Sequence, residues 1–305
     1  MCSPGYFKVR PGTGITSGQQ FAYCPYCRHK DAPDKFTTKR QIQYAKDVMM
    51  REAHVGVGRM ISNALGLGPS GRRKFGGDLL SVEMSLKQGS PPTVFRPFEE
   101  ELERAVVCPH CGLDHAVYGL AVWCSDCGRD IFMTHVKAEM DVVVTMLSDV
   151  ERRRETLGPR VAARDIENCL EDTVSIFEAV LRALLVRRLK DDGKGSDEVD
   201  GVLKKIGNRF QNPDMAREIV EKELGLELFA GVPDGEIQGF GRTFEKRHPI
   251  THNLGVVDRK YIERAMSAES EGKQVRVSAQ EVSDALKVAA KLLEGLHARL
   301  FPPQE

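Results

Sequence analysis

Six of the eight cysteines of this chain form three C-x-x-C pairs, and they occur as Cys24/Cys27, Cys108/Cys111 and Cys124/Cys127. A C-x-x-C turn presents two thiolates to one metal ion, and two such turns supply the four ligands of a tetrahedral Zn²⁺ site. The twelve residues between the second and third pairs suit two short strands and a turn. We therefore predict a zinc ribbon over residues 104–132, in which these two pairs bind a structural Zn²⁺ and leave no position for a catalytic water.

Redox chemistry and disulfide formation are the alternative uses of these cysteines. A redox-active C-x-x-C needs a thioredoxin-like strand and helix around the pair, and the sequence of 104–132 does not predict them. Disulfides are typical of secreted chains, but the N-terminal MCSPGYFKVRPGTG lacks the apolar stretch of a secretory signal. Metal binding is therefore the favoured interpretation.

The first pair, Cys24 and Cys27, has no fourth pair in the chain with which to complete a second four-thiolate site. Three alternatives are open for the pair: a site of its own, a site shared with one of the later pairs, or no bound metal. We favour a site formed by the two later pairs, because it closes the shortest loop. Candidates for further ligands of the first pair are Cys2, His29, His54, His110 and His115.

A second group of reactive side chains lies in the segment FEKRHPITHNLGVVDRKYI, where Arg247, His248, His252 and Asn253 fall within seven positions. An arginine can hold a phosphate through paired N–H donors, and a histidine can accept or donate a proton near neutral pH. These groups suffice for RNA cleavage without a metal. In that reaction the ribose 2′-OH attacks the neighbouring phosphorus, His252 takes or relays the proton, and Arg247 stabilises the developing charge.

The spacing of Arg247 and His252 by itself gives weak support for catalysis. With the arginine and histidine content of this chain, any single Arg-to-His spacing is expected to occur roughly once by chance. Two other pairs beside the zinc knuckles fit the same loose pattern, namely Arg104/His110 and Arg129/His135. In a purely structural alternative, Arg247 forms a surface salt bridge with Glu245 or with an acidic residue of a neighbouring helix, and His252 satisfies a carbonyl at a helix end. The position of the motif, late in a helical region, favours the chemical interpretation.

Hydrophobic spacing predicts that the C-terminal half is helical. Between Arg160 and Leu189, apolar residues recur every three or four positions and so share one helix face. They are Ile166, Leu170, Val174, Phe177, Leu181, Leu184 and Leu185. Further helices are predicted at 202–210, 213–224 and 234–248, with a polar connector at 191–201. Ser278 and Glu281 form an S-x-x-E capping box that predicts the start of a terminal helix.

These patterns predict a mainly α protein with an N-terminal zinc-ribbon β-hairpin module and a C-terminal helical bundle. The predicted segments are an N-terminal region with a knuckle and a helix (1–65), a Gly/Pro-rich linker or irregular excursion (66–103), the zinc ribbon (104–132) and the helical domain (135–301). Thr37 or Thr38 is expected to cap the helix of the first segment.

Composition limits the classes of partner. The chain has 44 basic and 44 acidic residues, so it has no overall field that would attract nucleic acid or a membrane, and any nucleic-acid contact must be local. At 41% hydrophobic and 29% charged it is typical of a globular protein. No apolar run approaches the roughly 20 residues of a membrane-spanning helix. We therefore expect a cytoplasmic protein.

Residues 135–301 resemble a HEPN domain, a helical bundle whose signature is an arginine, a polar residue, three further residues and a histidine. The matching residues are Arg247, His248, the segment 249–251 and His252. The resemblance rests on this motif and on the helical pattern, and the zinc-ribbon half lies outside it.

The resemblance implies a metal-independent endoribonuclease that acts as a homodimer, with a composite cleft formed by the motifs of two protomers. It implies catalysis by Arg247 and His252, with His248 orienting the site. Many members of the family are toxins or anti-phage defence effectors, so the implied partners are RNA, a second copy and an antitoxin or effector protein. Pro249 departs from a continuous helix, because it cannot donate a backbone N–H. Glu171 or Glu178 of the preceding long helix is a candidate carboxylate for the cleft.

Two other functions fit the same features. One is a non-catalytic adaptor that binds nucleic acid or protein through both halves. The other is a DNA-binding regulator that combines a zinc ribbon with a helical dimerisation domain. Metal-independent cleavage of RNA distinguishes the enzyme from both.

Overall fold

The chain divides after the cysteine-rich segment into two units, Met1–Ile131 and Phe132–Glu305. The computed structural model describes residues 7–67, 71–77, 80–87, 89–91, 93–94, 104–265 and 269–302. The predicted fold class is confirmed at the level of a mainly helical chain with small antiparallel sheets.

In its described residues, the first unit contains three small antiparallel sheets and one long helix. Its elements are β1 (Phe7–Val9), β2 (Ala22–Tyr23), β3 (Lys30–Asp31), a 3-10 helix (Pro33–Phe36), α1 (Lys39–Ala64), β4 (Arg72–Gly77), β5 (Leu80–Ser85), β6 (Arg104–Val107) and β7 (Asp114–Val117). The strand order is β1-β7-β6 in one sheet, while β2 pairs with β3 and β4 pairs with β5. Within the first sheet, Val117 lies opposite Phe7 on one side and Arg104 on the other.

The position of the ribbon hairpin differs from the prediction. Both strands were expected between the two knuckles, but β6 precedes the first knuckle and only β7 follows it. The reason is that the knuckle itself makes the turn of the hairpin, since the N–H of Cys108 donates to the carbonyl of Leu113 at 2.9 Å. A small buried cluster supports this hairpin, and it consists of Val106, Cys108, Leu113, Val117, Ala121, Cys124 and Ile131.

Helix α1 begins at one of its two predicted caps. Thr38 accepts a hydrogen bond from the N–H of Gln41, and the Gln41 side chain accepts one from the N–H of Thr38. Beyond α1, strands β4 and β5 lie within 66–103, the stretch expected to be a linker or an irregular excursion.

The second unit is helical. It contains α2 (Phe132–Ser148), α3 (Val150–Leu157), α4 (Pro159–Asp191), α5 (Ser196–Ile206), a 3-10 helix (Arg209–Gln211), α6 (Pro213–Leu224), α7 (Asp234–Glu245), α8 (Arg247–His252), α9 (Arg259–Ala265) and α10 (Ala279–Leu300). Helix α4 packs against α2, α3 and α10, so it forms the centre of the unit. None of the helices that the structure describes combines the length and apolar composition needed to cross a membrane.

The predicted apolar face of α4 is buried along its whole length, from Ile166 to Leu185. Phe177 at its middle meets the rings of Phe240 and Phe244 edge-on, with centroids 5.3 and 5.4 Å away. Burial of one such side chain contributes about 1.5–3 kcal/mol. This aromatic cluster therefore packs α7 against the central helix and so positions the start of α8, which follows α7 directly.

Two helix boundaries differ from the sequence predictions. The connector predicted at 191–201 is too long, because α5 already begins at Ser196, where Glu198 accepts a hydrogen bond from the N–H of Gly195 at 3.1 Å. The helix predicted at 234–248 is divided at Lys246.

Candidate functional site

The four cysteines of the second and third pairs come together in the first unit, where their sulfur atoms all lie within 4.8 Å of one another. Cys108 Sγ lies 3.7 Å from Cys127 Sγ, and Cys111 Sγ lies 3.6 Å from Cys124 Sγ. Zn–S bonds of about 2.3 Å in a tetrahedron separate the sulfur atoms by about 3.8 Å. The group is therefore close enough to bind a metal ion, and its spacing and donor atoms suit Zn²⁺.

Each of these pairs lies on a tight backbone turn. The N–H of Gly112 donates to the carbonyl of Cys108 at 2.9 Å, and the N–H of Gly128 donates to that of Cys124 at 3.0 Å. The two glycines have φ values of 74° and 65°, in a region that glycine adopts at little cost. The turn also directs the N–H of His110 to Cys108 Sγ at 3.4 Å, as expected for a sulfur that carries negative charge when it binds a metal.

The protein environment by itself disfavours ionisation of two of these thiols, those of Cys124 and Cys127. Burial raises the pKa of Cys124, and it raises the pKa of Cys127 to about 11. Burial acts in the same direction on Cys108, but hydrogen bonds that include those from the backbone of Cys111 and His110 outweigh it and lower the pKa. A divalent cation would stabilise the thiolates and displace their protons, so metal affinity should fall as the pH falls.

We expect Gly128→Ala to destabilise the first unit more than Gly112→Ala. Both substitutions place a side chain at positive φ, which costs about 1–2 kcal/mol in each. A Cβ at Gly128 would also lie 2.9–3.0 Å from ring atoms of Tyr23, whereas nothing lies within 4 Å of one at Gly112. Gly128→Ala should therefore lower the free energy of unfolding by about 1–2 kcal/mol more than Gly112→Ala. Urea unfolding followed by the fluorescence of Trp123 measures both losses, and equal losses would contradict the Tyr23 contact.

His115, a candidate ligand, lies inside the first unit and is 1% exposed. Its Nδ1 is 3.3 Å from Ser125 Oγ, and its Nε2 is buried without a hydrogen-bond partner among the described residues. Burial lowers its pKa to about 4, although Asp114 and Asp126 oppose the shift. The imidazole is therefore neutral in the folded state at any pH near neutrality.

This depressed pKa predicts a loss of stability in acid. The unfolded imidazole titrates near pH 6.5, so the contribution of His115 is complete above that value and is lost as the pH falls toward 4. Between pH 7 and pH 5 the loss should be about 2 kcal/mol. The measurement is the free energy of unfolding of the native chain and of His115→Asn at both pH values. Parallel losses in the two proteins would show that His115 is not the cause.

Cys24 and Cys27 lie outside the four-cysteine group, with Cys24 buried and Cys27 exposed. Their turn packs on the segment that leads into the third pair, because the N–H groups of Val122 and Trp123 both donate to the carbonyl of Pro25, at 2.8 and 3.0 Å. The first knuckle is thus held beside the ribbon without sharing its ligand group.

The histidines considered as further ligands have other partners. These are the Asp31 carboxylate at 3.6 Å for His29, the Gly89 carbonyl for His54, the Asp130 carbonyl for His110 and Ser125 Oγ for His115. Cys2 lies outside the described residues. Within the described ranges, the four-cysteine group alone brings three or more potential ligand atoms together.

Arg247 is the first residue of α8 and is anchored by its neighbours. Its guanidinium donates to Gln211 Oε1 at 2.8 Å, and Gln211 in turn donates to Glu178 at 2.7 Å. Glu178 also pairs with Arg182 at 3.1 Å. The Nε–H of Arg247 is buried without a partner among the described residues. The salt bridge to Glu245, which was the structural alternative for Arg247, does not occur in the part of the chain that the structure describes.

His248 and His252 lie one helical turn apart, and their ring centroids are 5.1 Å from each other. His252 ends α8 and is exposed. Burial lowers the pKa of His248, and the positive charges of Lys260 and Arg264 act in the same direction while Asp258 opposes them. His248 is therefore neutral near pH 7 and retains a lone pair that can accept a proton or a hydrogen bond.

The two candidate carboxylates both reach the motif from α4. Glu171 accepts a hydrogen bond from Thr251 Oγ1 at 3.1 Å, and Glu178 reaches Arg247 through Gln211. Asn253 is occupied elsewhere, since it donates to Asp258.

Pro249 accounts for the division of the helix at Lys246. Because proline has no N–H, the carbonyl of Glu245 receives no helical hydrogen bond from it, and α8 starts as a separate short helix. Within α8, Arg247 and His252 are five positions apart and so point roughly 140° apart around the helix axis. The two side chains therefore do not face each other within one chain.

Sequence reasoning missed Gln211, which lies 36 positions before Arg247 along the chain. It also missed Lys260, which lies on another helix, α9. It also missed Arg28, which has a φ of 62° in the turn of the first knuckle. Superposing the three C-x-x-C sequences would have indicated that last feature, since Arg28 stands where the other two knuckles have glycine.

Comparisons with family models, with curated proteins and with solved structures find no match to this chain.

Proposed function

We propose that the second unit is a metal-independent endoribonuclease that acts as a homodimer, with Arg247 and His252 as catalytic residues and His248 as the residue that orients them. The observation that carries the proposal is the arrangement on α8, where a neutral His248 adjoins an exposed His252 above an anchored Arg247. Lys260 and Arg264 act on His248 with positive charge while Asp258 opposes them, and the two basic side chains support binding of a phosphate.

The proposed reaction is a transesterification. The ribose 2′-oxygen forms a bond to phosphorus as the bond from phosphorus to the 5′-oxygen breaks, which leaves a 2′,3′-cyclic phosphate and a free 5′-hydroxyl. His252 takes the 2′-OH proton, and a histidine returns a proton to the leaving oxygen. Arg247 donates one hydrogen bond to Gln211 and has other N–H donors for the charge that develops on the phosphate.

The directions of the side chains support the proposed homodimer. Since Arg247 and His252 of one α8 point roughly 140° apart, a single protomer cannot easily present both to one phosphodiester. A twofold axis beside α8 would bring Arg247 of one protomer to His252 of the other, and such isologous contacts are the commonest form of homodimer.

For the first unit we propose a structural Zn²⁺ held by Cys108, Cys111, Cys124 and Cys127. Four thiolates close the coordination sphere, so the metal supplies stability rather than a catalytic water. We further propose that this ribbon recruits RNA or a partner such as an antitoxin or effector protein.

One observation favours a non-catalytic adaptor as the second candidate. Arg247 belongs to a connected series of hydrogen bonds through Gln211, Glu178 and Arg182, and such a series has a structural use without any substrate. In this alternative, α8 contributes a binding surface and no chemistry.

The decisive experiment incubates the purified full chain with mixed RNA, with and without a brief exposure to EDTA. We expect cleavage in both cases, with 2′,3′-cyclic phosphate ends. Absence of cleavage of any RNA would favour the adaptor, and preferential binding of duplex DNA would favour a DNA-binding regulator. The exposure must be brief, because slow loss of zinc could unfold the ribbon and imitate a catalytic requirement.

A further inference from the structure

The first knuckle has the same backbone hydrogen bonds as the two knuckles of the ribbon. In each, the N–H of the first cysteine donates to the carbonyl five residues later, at 2.8–2.9 Å. The N–H that follows the second cysteine donates back to the carbonyl of the first, at 2.9–3.0 Å. The Cys24 thiol also receives hydrogen bonds from the backbone of Tyr26 and Cys27. The turn is therefore built as a metal-binding knuckle is built.

Arg28 shows how this geometry is maintained without glycine. Its φ of 62° is close to the 74° and 65° of the corresponding glycines, although such values are uncommon for other residues. The Arg28 Nε–H donates to the carbonyl of Gly128 at 3.2 Å, and its guanidinium lies 4.4 Å from the ring centroid of Trp123. Side-chain contacts thus hold the strained turn in the shape of a knuckle.

The second cysteine of the first knuckle differs in solvent exposure from those of the ribbon. In all three knuckles the first cysteine is buried. In the ribbon each second cysteine is partly buried, because its Sγ lies 3.6–3.7 Å from the Sγ of a cysteine in the opposing knuckle. Cys27 is instead exposed, and in the described ranges no second knuckle lies across from it.

This chain cannot supply a second set of four thiolates. Of its eight cysteines, four belong to the ribbon group and Cys169 is 0% exposed in α4. Cys2 is the one cysteine left to join Cys24 and Cys27, which makes three. A closed four-thiolate site at the first knuckle therefore needs thiols from another molecule.

We propose that Cys24 and Cys27 from two copies of this chain form a second four-thiolate zinc site, in which the knuckle of each copy opposes that of the other. A twofold axis through the metal makes the two halves identical, as in an isologous dimer. The thiols lose their protons to solvent as the metal binds, and the site joins two first units independently of the helical unit. The inference goes beyond the proposed nuclease, and neither depends on the other.

The test is the zinc content of the zinc-saturated full chain, measured by mass spectrometry under native conditions. We expect about three zinc ions per pair of chains, or about 1.5 per chain, because each ribbon binds one and each pair of first knuckles shares one. The double variant Cys24→Ser/Cys27→Ser should contain about one zinc ion per chain. That remaining ion reports that the ribbon has folded.

The Cys2→Ser and Cys169→Ser variants are the matched controls, since both remove a thiol and should leave the zinc content unchanged. A content of about one zinc ion per native chain would overturn the proposal. So would about two per chain that fell to one in Cys2→Ser, because the site would then be completed within a single chain. RNA cleavage is a separate readout, so a failure here is distinguishable from a failure of the proposed function.

Discussion

Removal of zinc is expected to unfold residues 104–131 while the helices of the second unit stay folded. The hydrophobic cluster of the ribbon is small and includes Cys108 and Cys124, two of the proposed ligands. Structural zinc contributes about 10–16 kcal/mol in small metal-binding domains, which exceeds what such a cluster supplies. Loss of the metal removes the metal–sulfur bonds and leaves buried thiols at the centre of the ribbon. The second unit has its own core around α4 and contains no proposed ligand.

Hydrogen exchange measured by mass spectrometry, with and without prolonged chelation, checks this expectation. Peptides from 104–131 should lose their protection, and peptides from 159–191 should keep theirs. Cys108→Ser should behave like the chelated native protein, whereas Cys169→Ser, which changes a buried cysteine of α4, should retain a protected ribbon. Full protection of 104–131 in Cys108→Ser would show that this fold does not depend on a metal.

Arg247→Ala and His252→Ala are each expected to reduce RNA cleavage by about 10²–10⁴-fold, the usual range for loss of a charge-stabilising or proton-transferring group. Arg242→Ala on α7 and His54→Ala on α1 are matched controls that should retain native activity. Initial rates on one labelled RNA give the comparison. Hydrogen exchange over α7 and α8 must match that of the native protein, because Arg247 also binds Gln211. Equal rates in all five proteins would refute catalysis by α8.

Mixing the two inactive variants tests the composite site. If each site takes Arg247 from one protomer and His252 from the other, a mixed dimer has one intact site and one that lacks both groups. With random exchange of subunits, half of the dimers are mixed, so about a quarter of the native activity should return. If both groups came from the same protomer, mixing would restore none, and the assignment to a site shared by two protomers would be wrong.

The features that the sequence determined are those set by neighbours along the chain. The apolar spacing of α4 reflects the helical repeat, and the capping boxes that start α1 and α10 each join residues three positions apart. Pairing of the second and third C-x-x-C turns followed from the short loop between them. In each case the physical cause lies within a few residues or within one short loop, so the sequence contains it.

Other features were decided by contacts between distant parts of the chain. The knuckle at Cys108 became the turn of its own hairpin because β7 pairs on one side with β6 and on the other with β1, which is about one hundred positions away. The direction of Arg247 depends on Gln211, which lies 36 positions earlier on another element. Arg28 adopts a left-handed conformation because Gly128 and Trp123 hold its side chain. Such partners are chosen by packing in three dimensions, where separation along the sequence has no bearing on which groups meet.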